Sequence, residues 1–171
     1  MIVFITGGSG SGKSALAEKI CAALGGQRVY IATMPVFTDE DRKKVARHHA
    51  LRAGRGFETM EMPGRLSPVP EDATVLLECL STFTANRMFS GDPSENWTDT
   101  LWDELQPLLN RSGHTVIVSA DASGDGVTYD AATETYRNTL TALGARLCTR
   151  ADAAVETVCG IPLILKGSLP C

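Results

Sequence analysis

The chain has 171 residues, 43% of them hydrophobic, and a formal net charge of −4. This apolar content suffices for one compact core, so we expect a single nucleotide-binding domain over residues 1–171. The acidic balance argues against nucleic acid as a partner, and no run reaches the roughly 18 apolar residues that a membrane span needs. The five cysteines form no C-x-x-C pair and no basic leader pattern opens the chain. We therefore expect a cytoplasmic protein whose cysteines are reduced, small core residues, except for a loose thiol at Cys171.

The first 24 residues carry the strongest motif. Residues 1–6 form a β-branched apolar run that predicts a buried strand, and residues 15–24 predict a helix. Between them lies G-x-x-x-x-G-K-S, the phosphate-binding loop (P-loop) of nucleoside triphosphatases and kinases. Its residues are Gly7, Gly8, Ser9, Gly10, Ser11, Gly12, Lys13 and Ser14. We predict that its backbone surrounds a polyphosphate, that Lys13 binds the β and γ phosphates and that Ser14 ligates Mg²⁺. A chance Gly/Ser-rich turn is the alternative, which the flanking strand and helix disfavour.

Strand and helix patterns alternate along the rest of the chain. Further strands are predicted at residues 28–33, 74–79 and 115–120, and two short ones within 154–166, broken at Gly160. Helices are predicted at residues 38–53, 81–89, 97–110 and 130–150. Pro107 is expected to kink or shorten the third of these helices. The alternation predicts an α/β fold of the P-loop NTPase type, with a mostly parallel sheet and helices on both faces.

Sheets of this kind bind ligands at the carboxyl ends of their strands. Polar residues stand at three such ends: Thr33, Glu78 and Asp121. Glu78 and Asp121 are rival candidates for the carboxylate that holds Mg²⁺ directly or through water, and their spacing does not choose between them. The alternative is that each carboxylate only caps a turn.

A basic block at residues 42–52 is unusual in an acidic chain. On a helix, Lys44, His48 and Arg52 would share one face, although like charges at this spacing destabilise a helix slightly. An anion opposite that face would explain the cluster, and a neutral imidazole at His48 can attack phosphorus and carry a nucleotidyl group. The alternative is a solvated basic face with incidental histidines.

Several further motifs follow the P-loop in a fixed order. They are Y-I-A-T at 30–33, D-E at 39–40, K-V-x-x-H-x-x-x-R at 44–52, F-x-T-x-E at 57–61, L-L-E-C-L-S at 76–81 with Asn86, A-D at 151–152 and G-I-P-L-I-L-K at 160–166. In this order the chain resembles the bifunctional adenosylcobinamide kinase / adenosylcobinamide-phosphate guanylyltransferase family of cobalamin biosynthesis.

The resemblance implies two reactions. A nucleoside triphosphate, ATP or GTP, phosphorylates adenosylcobinamide, and GMP then passes from GTP through a guanylylated histidine to adenosylcobinamide phosphate, giving adenosylcobinamide-GDP. It implies that His48 carries the GMP, whereas His49 would lie about 100° away around the helix. It also implies a homo-oligomer, a trimer in the family. The residues that it adds to the P-loop as nucleotide or metal contacts are Thr33, Arg52, Glu61 and Glu78.

The chain departs from the family pattern at several positions. Lys44 stands where the family has Arg, Phe57 where it has Trp, and Gly144-Ala145 where it has N-Q, while residues 120–128 lack the family's Asn, Glu and Pro. These changes leave the nucleotide half intact and affect the acceptor half. Two alternatives therefore stay open: a P-loop kinase or nucleotidyltransferase for a different small acceptor, and a non-catalytic nucleotide-sensing paralogue.

Overall fold

The computed structural model of the protein describes residues 1–35, 54–122 and 126–170. The predicted helix at 38–53, with Lys44, His48 and Arg52, lies outside these ranges, as do residues 123–125. The described strands are β1 (Ile2–Thr6), β2 (Arg28–Ala32), β3 (Phe57–Glu61), β4 (Thr74–Leu77), β5 (His114–Val118), β6 (Ala153–Val158) and β7 (Ile161–Lys166). The described helices are α1 (Lys13–Leu24), α2 (Leu80–Met88), α3 (Trp97–Leu109) and α4 (Ala131–Arg150).

All the described strands belong to one sheet, in the order β3-β2-β4-β5-β1-β6-β7. Every neighbouring pair is parallel except β6 and β7, which form an antiparallel hairpin. Strand β1, which leads into the P-loop, lies between β5 and β6: Phe4 is opposite Ile117 on one side and Ala154 on the other. The prediction of a mostly parallel sheet is confirmed.

The two faces of the sheet carry separate hydrophobic cores. In β1, Ile2 and Phe4 contribute to the core formed with α2, α3 and α4, whereas Val3 and Ile5 contribute to the core formed with α1. This alternation follows from the two-residue repeat of a strand, which points successive side chains to opposite faces. Helices therefore cover both faces, as predicted, and the alternation indicates the face towards which a residue just beyond a strand points.

Local sequence bears on where helix α4 begins and where helix α3 ends. The Asp130 carboxylate accepts hydrogen bonds from the backbone N–H groups of Ala132 and Thr133 and caps α4. Helix α3 includes Pro107 and continues to Leu109, so the helix does not end at the proline, and the alternative expectation of a kink stays a prediction. The proline lies in the last turn, where the buried Leu108 and Leu109 keep the helix packed on the core.

Two features differ from the sequence-based expectations or went unrecognised there. Strand β3 was not predicted as a strand; it pairs with β2 and forms one edge of the sheet. Cys21 is buried as expected, but Cys79 is only half-buried and Cys159 is exposed in the β6–β7 turn.

In the described ranges no helix is long and apolar enough to cross a membrane.

Candidate phosphate-binding site

The P-loop connects β1 to α1 with backbone conformations that favour glycine. Gly7, Gly10 and Gly12 have φ angles of 143°, 68° and 99°. Gly12 is the N-cap of α1, no side chain caps this helix end, and its first turn contains no acidic residue. The first N–H groups of α1 therefore receive no hydrogen bond from a side chain of the N-cap residue, and they lie at the positive end of the helix dipole. Such an end is suited to binding phosphate.

Lys13 lies across this loop. Its ammonium donates hydrogen bonds to the carbonyl oxygens of Gly7, at 2.9 Å, and Gly8, at 2.6 Å. Burial lowers the pKa of the Lys13 amine, and a negative charge on the Cys79 sulfur would act to raise it. Helix α1 packs against β4, the strand that leads to Cys79.

Glu78 and Asp121, the two candidates for the metal-side carboxylate, both follow the carboxyl end of a strand, but they approach opposite faces of the sheet. Leu76 packs in the core on the α1 face and Leu77 in the core on the opposite face. Continuing the alternation by one residue directs Glu78 towards α1. Asp121 donates its backbone N–H to the Gly7 carbonyl, at 3.1 Å, and lines a cavity of about 250 Å³ against α4. Glu78 thus shares the face of Lys13 and Ser14, whereas Asp121 belongs to the other face.

Thr33 connects the carboxyl ends of neighbouring strands through hydrogen bonds. Its side chain is 1% exposed, and its hydroxyl donates to the Cys79 carbonyl at 3.4 Å. The Asn86 amide donates to the carbonyls of Thr33, at 2.7 Å, and Pro63, at 2.8 Å. These bonds join the carboxyl ends of β2 and β4 and the segment after β3. The Thr33 side chain is therefore enclosed by protein.

Glu61 is farther from the P-loop than the other described candidates. It is exposed at the end of β3, which is separated from β1 by β2, β4 and β5. At about 4.8 Å between neighbouring strands, the two strands are roughly 19 Å apart. The structure thus brings the P-loop, Glu78 and Asp121 together at the carboxyl ends of β1, β4 and β5. It leaves Glu61 on the outer strand β3. His48 and Arg52 belong to the segment that connects β2 to β3 and lie outside the described residues.

Two contacts, one of the P-loop and one of the end of β1, were not anticipated from the sequence. The Gly160 N–H donates to the Ser11 carbonyl at 2.8 Å, and the Thr157 hydroxyl donates to the Thr6 carbonyl at 3.1 Å. The motif beginning at Gly160 was recognised, but nothing in its spacing indicates which distant segment it touches.

The donors available to a cation are oxygen atoms. Ser14 is exposed in the first turn of α1, and Glu78 approaches the same face. Within the described ranges, no group of three or more His, Cys, Asp or Glu side chains is placed to hold a metal ion. A sparse set of oxygen donors fits Mg²⁺, which usually takes its remaining ligands from substrate phosphates and water.

Comparison with known proteins adds independent information. A sequence model of the family described as cobinamide kinase / cobinamide phosphate guanyltransferase matches residues 3–165. The bifunctional adenosylcobalamin biosynthesis protein CobP of Pseudomonas aeruginosa is 29% identical, over 95% of this chain and 96% of its own length. The bifunctional adenosylcobalamin biosynthesis protein CobU of Salmonella typhimurium is 29% identical, over 97% of this chain and 100% of its own length.

A solved structure supports the fold. An ATPase from the type III secretion system of pathogenic bacteria matches 91% of this chain with a TM-score of 0.52 and 14% sequence identity. The match covers 51% of that ATPase, so the chain spans about half of its length. At this identity the likeness shows a shared α/β architecture and no more.

Proposed function

The chain belongs to the cobinamide kinase / cobinamide phosphate guanyltransferase family, and we propose that both of its reactions use the P-loop at residues 7–14. The function predicted from the sequence, phosphorylation of cobinamide followed by guanylyl transfer to cobinamide phosphate, is confirmed by the family match. The observation that carries the proposed site is the loop itself. Its glycines adopt positive φ angles, the end of α1 has no side-chain cap, and Lys13 spans the loop.

In the kinase step, the triphosphate lies in the loop and the Lys13 ammonium exchanges its two carbonyl acceptors for phosphate oxygens. A hydroxyl oxygen of cobinamide attacks the γ-phosphorus, and the bond from that phosphorus to the β-phosphate oxygen breaks. The nucleoside diphosphate leaves and the hydroxyl proton passes to solvent. The protein contributes position and positive charge, which are the main requirements of phosphoryl transfer.

In the guanylyl step, His48 acts as the nucleophile. A nitrogen of its neutral imidazole attacks the α-phosphorus of GTP, a phosphorus–nitrogen bond forms and pyrophosphate leaves. A phosphate oxygen of cobinamide phosphate then attacks the same phosphorus, the phosphorus–nitrogen bond breaks and the imidazole is restored. The products are adenosylcobinamide-GDP and free His48, which agrees with the adenosylcobalamin biosynthesis named for the relatives.

Ser14 and Glu78 are the proposed ligands of Mg²⁺. The alternation along β4 favours Glu78 over Asp121, because Glu78 approaches the face that carries Ser14 whereas Asp121 lines the cavity against α4. When bound, Mg²⁺ would neutralise phosphate charge. Its ligands from this chain would be oxygen atoms, in keeping with its chemistry.

The remaining candidate contacts stay proposals. Arg52 would pair with phosphate, and Thr33 would contact nucleotide after release of its hydroxyl from Cys79. The separation of roughly 19 Å between β1 and β3 favours contact of Glu61 with the base or ribose end of a nucleotide rather than with phosphates at the P-loop. We further propose that the protein works in the cytoplasm, where thiols stay reduced; the four described cysteines are free.

A matched pair of lysine variants tests the proposed site. Lys13→Ala removes the ammonium at the loop, whereas Lys19→Ala removes an exposed ammonium from the same helix. Hydrogen bonds to charged groups contribute about 1.5–3 kcal/mol, so Lys13→Ala should weaken binding of ATP and GTP by roughly 10- to 100-fold. Titration calorimetry measures this loss, and Lys19→Ala should bind like the wild type. Equal affinities of the two variants would contradict the proposed site.

A further inference from the structure

The P-loop is packed against a tight turn from the other end of the chain. Val158 pairs with Ile161 across the β6–β7 hairpin, so Cys159 and Gly160 are the two turn residues. Their φ angles are 50° and 82°, positive at both positions, as a type I′ hairpin turn requires. The Gly160 N–H donates to the Ser11 carbonyl at 2.8 Å.

The approach between loop and turn is backbone to backbone. A Cβ atom on Gly12 would lie 3.2 Å from the Gly160 Cα, and a Cβ atom on Gly7 would lie 2.4 Å from the Thr157 carbonyl oxygen. Two P-loop glycines are thus in close contact with the end of β6 and its turn. A side chain at either position would push the loop away from this support.

Ser11 is held at this contact through its backbone. Its carbonyl accepts the Gly160 N–H. Its side-chain oxygen, in contrast, is buried and has no hydrogen-bond partner among the residues that the structure describes. The peptide bond is planar and trans, so the Ser11 carbonyl and the Gly12 N–H point in opposite directions. Fixing the carbonyl against the turn therefore aims the Gly12 N–H away from the turn.

We propose that the β6–β7 turn positions the phosphate cradle and that Gly160 is a positioning residue for both reactions. The turn fixes the Ser11–Gly12 peptide in the orientation in which its N–H is presented to the bound phosphates. Gly160 acts through the loop and touches no substrate. This inference rests on the proposed placement of the triphosphate at the P-loop.

Two glycine variants with similar backbone strain separate positioning from stability. A Cβ on Gly160 meets no atom within 4 Å, so Gly160→Ala disturbs the turn through its positive φ rather than through a clash. Gly91 has a φ of 90° and equally open surroundings, and none of the loop contacts described above involves it. Both alanine variants should therefore lower the melting temperature to a similar degree.

Only Gly160→Ala should change nucleotide handling. A net hydrogen bond corresponds to about a three- to tenfold change in an equilibrium constant, so the KM for the triphosphate should rise by that factor in both reactions. The KM for cobinamide should not change. A rise in both KM values, or the same rise in Gly91→Ala, would overturn the inference, because it would indicate general destabilisation.

A backbone ester provides the second test. Cys159 allows residues 1–158, as a thioester, to be ligated to a synthetic peptide of residues 159–171. Glycolate in place of Gly160 replaces the N–H by an oxygen atom and leaves the side chains unchanged. After refolding, the full-length ester should bind the triphosphate about three- to tenfold more weakly than the ligated all-amide chain. Binding within about twofold of that chain would overturn the inference.

Lys13→Ala in the same binding assay distinguishes failure of the proposed P-loop site from failure of the proposed role of the turn. Unchanged nucleotide affinity in Lys13→Ala would overturn the P-loop site and this inference together. Weak binding by Lys13→Ala, combined with normal binding by the ester and by Gly160→Ala, would overturn the role of the turn alone.

Discussion

Lys13 has two alternative sets of acceptors. Its ammonium donates hydrogen bonds to the Gly7 and Gly8 carbonyls. A triphosphate offers charged oxygens in their place, and hydrogen bonds in which both partners are charged are stronger than those to neutral carbonyls. Burial lowers the Lys13 pKa, and phosphate would oppose this effect by favouring the charged form. Nucleotide binding and the charge of Lys13 should thus reinforce each other.

The assignment of the metal-side carboxylate is testable with two isosteric substitutions. Glu78→Gln removes the charge on the α1 face, and Asp121→Asn removes the charge beside α4. Because Ser14 lies on the α1 face, Glu78→Gln should raise the Mg²⁺ concentration for half-maximal kinase rate by about tenfold or more, a loss comparable to that of one charged contact. Asp121→Asn should change it by less than about twofold. A Mg²⁺ titration of the kinase rate decides the matter, and the reverse order would make Asp121 the metal-side carboxylate.

Helices α2 and α3 are joined by a largely buried ion pair. Arg87 is 4% exposed, and its guanidinium donates to Glu104 at 3.0 Å and to Asp92 at 3.0 Å. The other oxygen of Glu104 accepts the Leu66 N–H at 3.1 Å. This network connects the two helices to the loop between β3 and β4. It therefore supports the segment that follows Glu61.

Replacing Arg87 leaves the Glu104 carboxylate, which is only 14% exposed, without its cation. Arg87→Met should therefore lower the free energy of unfolding by about 3–5 kcal/mol. Arg146→Met is the matched control, because Arg146 pairs with Asp99 at the surface and such pairs contribute about 0–1 kcal/mol. Urea denaturation of both variants measures the difference. Similar losses in the two variants would show that burial of Arg87 does not govern its contribution.

At the scale of the whole sheet, β7 is an edge strand whose apolar side chains are left exposed by the part of the chain that the structure describes. All six of its residues are exposed, and Ile161 and Leu165 are 62% and 57% exposed. An exposed apolar edge strand is a template for pairing with another chain. We therefore propose that a second copy of the chain covers β7 in a homo-oligomer, and the family resemblance favours a trimer.

A charge on this edge tests the proposed assembly. Leu165→Lys should disfavour pairing and convert the oligomer to monomer, because it would bury an unpaired charge. Phe89→Lys is the control, since Phe89 is equally exposed, at 61%, but lies after α2. Light scattering coupled to size-exclusion chromatography measures the mass of each protein. A monomeric wild type, or an oligomer that survives Leu165→Lys, would rule out β7 as the interface.

Local patterns made much of this protein predictable. The P-loop is recognisable from contiguous residues, and Asp130 caps the helix that follows it in the chain. Strand β3 was missed because F-E-T-M-E is short and half-exposed at a sheet edge. The Gly160–Ser11 bond joins residues far apart in sequence, and the face towards which Glu78 points depends on where β4 ends. Such features follow from strand order and register, which the sequence pattern did not specify.

In the proposed mechanism, His48 carries GMP between GTP and cobinamide phosphate. Incubating the protein with Mg²⁺ and GTP radiolabelled at the α-phosphate, without acceptor, should trap label on the protein as an acid-labile, base-stable adduct. His48→Ala should abolish this label and leave the kinase step active, whereas His49→Ala should retain it. Label that persists in His48→Ala, or disappears only in His49→Ala, would contradict the proposed covalent transfer through His48.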